Sequence, residues 1–172
     1  MRIIELIYLY LPAYIANMTP LLLRDLMPRW RTPLDFGYSW RGVRIFGNSK
    51  TWKGMILGVS SAVIVAYLQR LLLPPAQFDY SSAWYWWGSS IGLGALVGDA
   101  VKSFFKRRMG IRPGMPWIPF DQMDYAVGAL IFGSVFYFTG WLEAGLLVVI
   151  SIVLHFLAAT TGFYLGVRTE RW

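Results

Sequence analysis

Long apolar segments are the feature of this sequence that most restricts its fold. A helix needs roughly 20 residues to cross about 30 Å of hydrocarbon, and five such stretches follow one another along 172 residues. They cover approximately residues 3–23, 54–73, 84–103, 124–141 and 144–166. Because a backbone in lipid must satisfy its own hydrogen bonds, these stretches are expected to be helices. The sequence therefore predicts an all-α polytopic membrane protein, with five transmembrane helices in a single domain over 1–172.

Composition agrees with this class and restricts the chemistry. Charged residues make up 15% of the chain, whereas soluble domains carry about 25%. The chain has no cysteine, and His155 is its single histidine, which excludes disulfides and the usual zinc sites. A metal would therefore need oxygen ligands, which favours Mg²⁺, Mn²⁺ or Ca²⁺.

Basic residues are distributed asymmetrically and predict the topology. All 16 lysines and arginines except Arg2 and Arg70 lie in segments 24–53 and 102–124 or in the C-terminal tail. Five spans place these three regions on one membrane face, which the positive-inside rule makes cytoplasmic. We expect a multi-pass protein of the cell membrane with its N-terminus outside, its C-terminus inside and two functional cytoplasmic loops.

Glycines and tryptophans indicate how the third span is placed. Its glycines recur in small-xxx-small pairs, which favour close helix packing but could also leave room for a ligand; they are Gly88, Gly92, Gly94 and Gly98. Trp84, Trp86 and Trp87 lie at its start, where tryptophans commonly anchor a helix in the membrane interface.

The first cytoplasmic loop closes with FGNSKTWKG, Phe46 to Gly54, directly before the second span. Small residues around Lys50 and Thr51 allow backbone amides to approach phosphate oxygens, and Asn48 lies beside them. The spacing is not that of a P-loop. The alternative is a basic flank that contacts lipid headgroups.

The second loop carries acids on two helix ends. Asp99, Lys102, Ser103 and Lys106 share one helical face, and so do Asp121 and Asp124 at the start of the fourth span. Acids near the membrane usually mark a site. Mg²⁺ on the acids and a polyphosphate on the bases would satisfy both sets of charges. The alternatives are that the charges pair with one another, or that Asp121 and Asp124 only complement a helix dipole.

Three motifs carry a family resemblance. GDAVKSFFKRRMG (Gly98 to Gly110), PFDQMD and KTWKG together resemble the signature of the phosphatidate cytidylyltransferases. The resemblance is closer to the archaeal branch, the CDP-archaeol synthases, and covers the whole five-span layout. Lys102 stands where bacterial members commonly carry glutamate, which removes a potential metal ligand and leaves the number of metal ions open.

The resemblance implies that CTP and 2,3-bis-O-geranylgeranylglycerol 1-phosphate react to give CDP-archaeol and pyrophosphate. It implies one or two Mg²⁺ ions, with Mn²⁺ as an alternative, on Asp99, Asp121 and Asp124. Lys102 and Lys106 join these acids as catalytic residues. The implied nucleotide- or phosphate-binding residues are Asn48, Lys50, Thr51, Gly98, Ser103, Arg107, Arg108 and Gln122. The lipid would come from the inner leaflet, into a groove lined by residues such as Phe104, Phe132 and Leu157.

Other functions are weighed against this one. A CDP-diacylglycerol synthase acting on diacyl phosphatidate would carry the same residues. A CDP-alcohol phosphatidyltransferase is disfavoured because the chain has no Asp-Gly pair, and a small anion transporter because the charges lie at one face rather than at the midplane. Nucleic acid is not expected as a partner, since attraction to anionic lipid explains juxtamembrane basic residues. The sequence leaves a homo-oligomer open.

Overall fold

The computed structural model describes residues 2–164, with the backbone alone at 158, 159, 162 and 163. Five helices follow in chain order: α1 (Ile3–Leu22), α2 (Trp52–Leu72), α3 (Tyr80–Arg108), α4 (Phe120–Gly133) and α5 (Trp141–Tyr164). A hairpin of two short antiparallel strands, β1 (Ser39–Trp40) and β2 (Val43–Arg44), lies between α1 and α2. The predicted all-α class is confirmed. The end of the predicted fifth span and the basic tail lie outside the described residues.

The helix bounds depart from the predicted spans mainly at α4. This helix was expected to reach residue 141 but ends at Gly133, because the amides of Phe136 and Tyr137 both donate to the Gly133 carbonyl and turn the chain. Its 14 residues span only about 21 Å. The helix α3 is longer than predicted and continues through the basic residues to Arg108.

Hydropathy along the described helices gives weaker support for membrane crossings than the sequence pattern did. By length and composition, α2 is the one described helix that could cross a membrane by itself, and the apolar stretch found in α5, Trp141–Leu157, is shorter. The number of crossings stays a prediction.

The central helix α3 packs through glycines on two of its faces. A Cβ at Gly88 would lie 2.7 Å from the Cβ of Ala66 on α2. On another face, a Cβ at Gly98 would overlap the carbonyl oxygen of Asp124, and Gly94 meets Gly128 in the same way. The predicted packing role is confirmed, because the missing side chains let α3 contact α2 and α4 at backbone distance.

An aromatic cluster fills the end of the bundle where α3 begins. Trp87 is fully buried, its ring meets Tyr10 edge-on at 5.5 Å, and its indole nitrogen donates to the Leu9 carbonyl. The expectation that Trp87 anchors the membrane interface was wrong, since this ring belongs to the core. Trp86, by contrast, is exposed.

Candidate active site

Three carboxylates converge on one ammonium group at the opposite end of α3. The Nζ atom of Lys102 lies 2.9 Å from Asp99 Oδ1, 2.9 Å from Asp121 Oδ1 and 2.7 Å from Asp124 Oδ2. Asp99 and Lys102 come from α3, whereas Asp121 and Asp124 come from the first turns of α4. The helical faces predicted from the sequence are therefore brought together into one cluster.

Two further lysines complete the charge balance. Lys50 pairs with Asp99 Oδ2, and Lys106 Nζ lies 2.9 Å from Asp121 Oδ2. Every side chain in this cluster is less than one-fifth exposed. Three acids are thus neutralised by three lysines, which is the self-paired arrangement that the sequence had left as an alternative.

The segment between α3 and α4 holds Asp121 in place. Its Oδ2 accepts a hydrogen bond from the Trp117 amide at 2.6 Å, and Lys106 also donates to the Met115 carbonyl at 2.6 Å. Burial would raise the pKa of Asp121, but hydrogen bonds from Lys106 and Lys102 and the Trp117 amide outweigh it and lower the pKa below its ordinary value. Asp121 is therefore ionised at neutral pH.

Lys50 reaches the cluster because backbone hydrogen bonds between two parts of the loop before α2 hold it in place. The Leu34 amide donates to the Lys50 carbonyl at 2.8 Å, and the Trp52 amide donates to the Thr32 carbonyl at 3.0 Å. Thr51 caps α2, its hydroxyl accepting a hydrogen bond from the Gly54 amide. A Thr side chain at this position satisfies one of the unpaired amides of the first helical turn.

Asp35 organises the same loop and was missed by the sequence reasoning. Its buried carboxylate pairs with Arg44 and accepts hydrogen bonds from the amides of Gly37, Phe46 and Gly47. Burial would raise the pKa of Asp35, but the Arg44 guanidinium and the three amides hold it far below its usual range. An acid within a basic segment, followed directly by Phe-Gly, was the signal available.

The remaining predicted phosphate-binding residues have protein contacts of several kinds. Asn48 accepts a hydrogen bond from Arg44 at 2.8 Å, and Ser103 donates to the Asp99 carbonyl at 2.9 Å. Gln122 is buried, and its Oε1 accepts no hydrogen bond from the described residues. Arg107 likewise has a buried Nε without a partner in the described part of the chain.

Arg108 connects the hairpin to α3. Its guanidinium lies 4.5 Å from the centre of the Phe104 ring and 5.0 Å from that of Trp40, and it donates to the Arg44 carbonyl at 3.2 Å. Such cation–π contacts favour a fixed position. Arg108 therefore holds the hairpin against the end of α3 beside the cluster.

The three carboxylates of the cluster are suitable ligands for a hard cation, but in this structure they surround the ammonium group of a lysine. Within residues 2–164 no three acidic or histidine side chains are already spaced to hold a metal ion. The point where Asp99, Asp121 and Asp124 converge is occupied by the Lys102 ammonium. Carboxylate oxygens are the ligands that Mg²⁺ prefers, so these residues fit the ion provided that the lysine is displaced.

Two cavities open between the end of α1, the first loop and the start of α2, and the smaller one also reaches α3. Their volumes are about 240 and 370 Å³. Both are lined by Pro20, Arg24, Ser49, Thr51 and Gly54, and the smaller one also by Lys50 and Asp99. Phe104, Phe132 and Leu157, the groove expected from the sequence, line neither.

A bundle with a charged cluster at the junction of two helix ends and a loop matches a known class, the helical intramembrane enzymes. One solved structure, described as an intramembrane enzyme for archaeal membrane lipid biosynthesis, matches with a TM-score of 0.78 and 33% identity. The match covers 91% of this chain and 94% of that one.

The particular family follows from the sequence comparisons. The family model described as CarS-like CDP-archaeol synthase matches residues 1–172. The CDP-archaeol synthase of Pyrococcus furiosus is 33% identical over 171 residues, covering 99% of this chain and 98% of that protein. That of Thermofilum pendens is 38% identical over 167 residues, covering 94% and 78%. The chain belongs to the CDP-archaeol synthase family, which confirms the predicted family and the predicted enzyme class, a nucleotidyltransferase.

Proposed function

We propose that this protein transfers a cytidylyl group from CTP to 2,3-bis-O-geranylgeranylglycerol 1-phosphate, giving unsaturated CDP-archaeol and pyrophosphate. The observation that carries the proposal is the cluster of three acids and three lysines at the junction of α3, α4 and the first loop. Both substrates are phosphate anions, and each lysine is a phosphate ligand once its carboxylate has another partner.

The chemical step needs no strong base. A phosphate monoester has a second pKa near 6, so the lipid phosphate is largely dianionic at neutral pH. One of its oxygens attacks the α-phosphorus of CTP, a new P–O–P linkage forms, and the bond from the α-phosphorus to the bridging oxygen of pyrophosphate breaks with its electron pair. Such transfers are catalysed mainly by positioning and charge stabilisation.

The lysines supply that positioning. Lys50 and Lys102 lie on either side of Asp99 and would hold the reacting phosphates together. Lys106, fixed by the Met115 carbonyl and by Asp121, would neutralise the departing pyrophosphate, with Arg107 nearby in the chain. Because these ammonium groups are already held in position, they would stabilise the negative charge that develops on the pyrophosphate without having to rearrange.

We further propose that Asp99, Asp121 and Asp124 hold Mg²⁺ when CTP is bound. The ion would supply charge neutralisation on the triphosphate oxygens. With the ion held by these three acids, Lys50, Lys102 and Lys106 would be available to phosphate. This arrangement keeps every buried charge paired, which the cost of an unpaired buried charge requires.

The arrangement in the membrane is also part of the proposal. We place the cluster on the cytoplasmic face of a multi-pass protein with five crossings, the N-terminus outside and the C-terminus inside. Segments 24–53 and 102–124 carry most of the lysines and arginines, which supports this orientation. CTP would then reach the cluster from the cytoplasm and the lipid from the inner leaflet.

The test is magnesium-dependent release of pyrophosphate from CTP by purified protein in detergent, with the isoprenoid lipid phosphate or a diacyl phosphatidate. Asp99→Asn should lower kcat/KM by about 10²–10³-fold, as expected when a charge-stabilising group is lost. Asp79→Asn is the matched control, because it removes the same charge at the exposed start of the same helix.

Each outcome has a defined meaning. Release with the isoprenoid lipid, abolished by EDTA and by Asp99→Asn but not by Asp79→Asn, supports the proposal. Release of pyrophosphate with the diacyl lipid alone would support the proposed reaction but show that the substrate is a diacyl phosphatidate. Protein that folds but releases no pyrophosphate with either lipid would contradict the proposed activity.

A further inference from the structure

The hairpin of β1 and β2 presents two different faces. Trp40 lies opposite Val43, so these two side chains share one face of the hairpin. Ser39 lies opposite Arg44, and because successive side chains of a strand alternate, this pair forms the other face. Arg44 turns toward the interior of the first loop, where it pairs with the buried Asp35. The face that carries Trp40 and Val43 therefore points away from the interior of the loop.

Large apolar side chains cover this outer face. The Ile45 amide donates to the Tyr38 carbonyl at 3.3 Å, which continues the hairpin by one pair and places Tyr38 on the same face as Trp40. Tyr38, Trp40 and Val43 are 70%, 51% and 38% exposed, and we call these three side chains the hairpin face. A contiguous group of exposed apolar side chains commonly marks a contact with a protein or a membrane.

The hairpin face lies at the depth where the apolar part of α3 ends. The Trp40 ring stacks on Phe104 of α3, with 6.0 Å between the ring centroids and 16° between the planes. Phe104 follows the exposed Trp86 by 18 residues, a rise of about 27 Å along the helix, which is close to the thickness of a hydrocarbon core. Val101 and Phe105, near Phe104 on α3, are both exposed. Trp40 is therefore expected in the interfacial layer of the membrane, where tryptophans are enriched.

Contacts on both sides hold the hairpin at this depth. The Arg108 guanidinium lies 5.0 Å from the centre of the Trp40 ring and donates to the Arg44 carbonyl at 3.2 Å. On the inner side, the Asp35 carboxylate pairs with Arg44 and accepts a hydrogen bond from the Phe46 amide at 3.0 Å. A surface that is already ordered loses little conformational entropy when it binds, so the hairpin is suited to a lasting contact.

The charge of the first loop is complementary to an anionic surface. Arg41 lies in the turn of the hairpin, and its guanidinium is 5.2 Å from the centre of the Trp40 ring. Arg29, Arg31 and Arg41 are exposed, and none of them forms an ion pair with another described residue. A basic residue near an anionic membrane surface contributes about 1 kcal/mol. Aromatic side chains beside unpaired arginines therefore favour an anionic lipid interface over a neutral one.

We propose that the hairpin face is a membrane contact that binds the anionic lipid surface of the leaflet beside the C-terminal end of α3. Tyr38 and Trp40 lie among the lipid headgroups, and Arg41 contacts their phosphates. A soluble protein partner suits this face less well, because the exposed Phe105 packs edge-on against Phe104 and continues the same apolar surface along α3. The contact is with the lipids that surround the protein rather than with a substrate, so the inference goes beyond the function proposed above.

The chain has no cysteine, so single introduced cysteines can report on the two faces of the hairpin. Tyr38→Cys lies on the hairpin face, and Ser39→Cys, the neighbouring residue on the other face, is the matched control, since both positions are exposed. Each full-length variant is labelled with acrylodan and reconstituted into vesicles of phosphatidylglycerol or phosphatidylcholine. In phosphatidylglycerol, the probe at Tyr38→Cys should emit at a shorter wavelength than the probe at Ser39→Cys and should be quenched severalfold less by acrylamide. In phosphatidylcholine the difference between the two probes should be smaller.

A second substitution tests the charge. In the Tyr38→Cys background, Arg41→Gln should move the emission in phosphatidylglycerol toward that in phosphatidylcholine, because it removes the arginine that contacts Trp40. Arg70→Gln is the control, since it removes an equal charge from the last turn of α2, at the other end of the bundle. It should leave the emission unchanged.

Several results would overturn the proposal. Equal emission and quenching of the probes at Tyr38→Cys and Ser39→Cys in phosphatidylglycerol would show that lipid does not cover the hairpin face. Protection of Tyr38→Cys that rises with the protein-to-lipid ratio would make the face a contact with a second copy of the chain. If inorganic phosphate added to phosphatidylcholine vesicles reproduced the effect of phosphatidylglycerol, the arginines would bind a free anion instead of a lipid surface. An effect of Arg41→Gln no larger than that of Arg70→Gln would also overturn it. Since no turnover is measured, these results are independent of whether the protein releases pyrophosphate.

Discussion

The Nζ atom of Lys102 lies 2.7 Å from Oδ2 of Asp124, so that a cation near the end of α3 neutralises an acid in the second turn of α4. The same ammonium also contacts Asp99 and Asp121. A lysine between three carboxylates stabilises the ligand-free protein and occupies the point that a metal ion would need.

Lys102→Met tests this relationship without an activity assay. Three carboxylates would then share two lysines, and the unpaired buried charge should lower the thermal midpoint by several degrees. Mg²⁺ should raise the thermal midpoint of this variant by more than it raises that of the wild-type protein. Differential scanning fluorimetry with EDTA or Mg²⁺ measures both effects. Arg112→Met is the control, and equal Mg²⁺ effects on all three proteins would contradict a metal at the cluster.

Gly98→Ala should separate packing from ligand binding. A Cβ at Gly98 would overlap the Asp124 carbonyl, so we expect a loss of about 1–3 kcal/mol in stability together with slower pyrophosphate release. Gly145→Ala in α5 is the matched control, because nothing lies within 4 Å of its added Cβ. Unchanged thermal stability with a raised KM for CTP would instead make Gly98 a nucleotide contact.

Asp35→Asn should destabilise the first loop in a pH-dependent way. The folded pKa of Asp35 lies below the unfolded value of about 3.9, so its stabilisation is complete above that value and is lost as the pH falls through the folded pKa. At about pH 7 we expect a loss of about 3–5 kcal/mol, the cost of breaking a buried pair.

Thermal unfolding followed between neutral pH and about pH 3.5 would check this. The difference between wild type and Asp35→Asn should narrow at the acid end. Asp25→Asn, at an 82% exposed side chain on the same loop, should stay within about 0.5 kcal/mol of wild type throughout. A difference that does not vary with pH would show that the carboxylate charge is not the stabilising group.

The proposed topology predicts which exposed residues react from each side of the membrane. Ala76→Cys, in the short segment before α3, should react with an impermeant maleimide added to intact cells, and Ser39→Cys in the hairpin should not. In inverted vesicles the order should reverse. Both positions are exposed, so a difference in labelling reports the side of the membrane on which each residue lies. Labelling of Ser39→Cys in intact cells would place the cluster outside.

Much of the candidate site could be read from spacing along the chain. Residues three and four apart share a helical face, so Asp99, Lys102 and Lys106 were grouped before any contact was known, as were Asp121 and Asp124. The motifs at these positions also sufficed for the family. Spacing along the chain predicts which residues share a face because the number of residues per turn is the same in every α-helix.

Other features depended on contacts between distant segments. Trp87 resembles an interface anchor in the sequence, yet it is buried because Tyr10 and the Leu9 carbonyl of α1 meet it. The importance of Asp35 was equally hidden, since its partners are loop amides and an arginine that only the folded loop brings together.

The sequence by itself determined the helical class, the family and the two sets of charged residues. Each of these depends on local pattern and composition. Only the tertiary structure decided that the charges neutralise one another around Lys102, that Gly98 serves α3–α4 packing, and that a cavity opens beside Lys50. Pairing and cavities depend on how distant segments pack, and the periodicity of a single helix does not encode that packing.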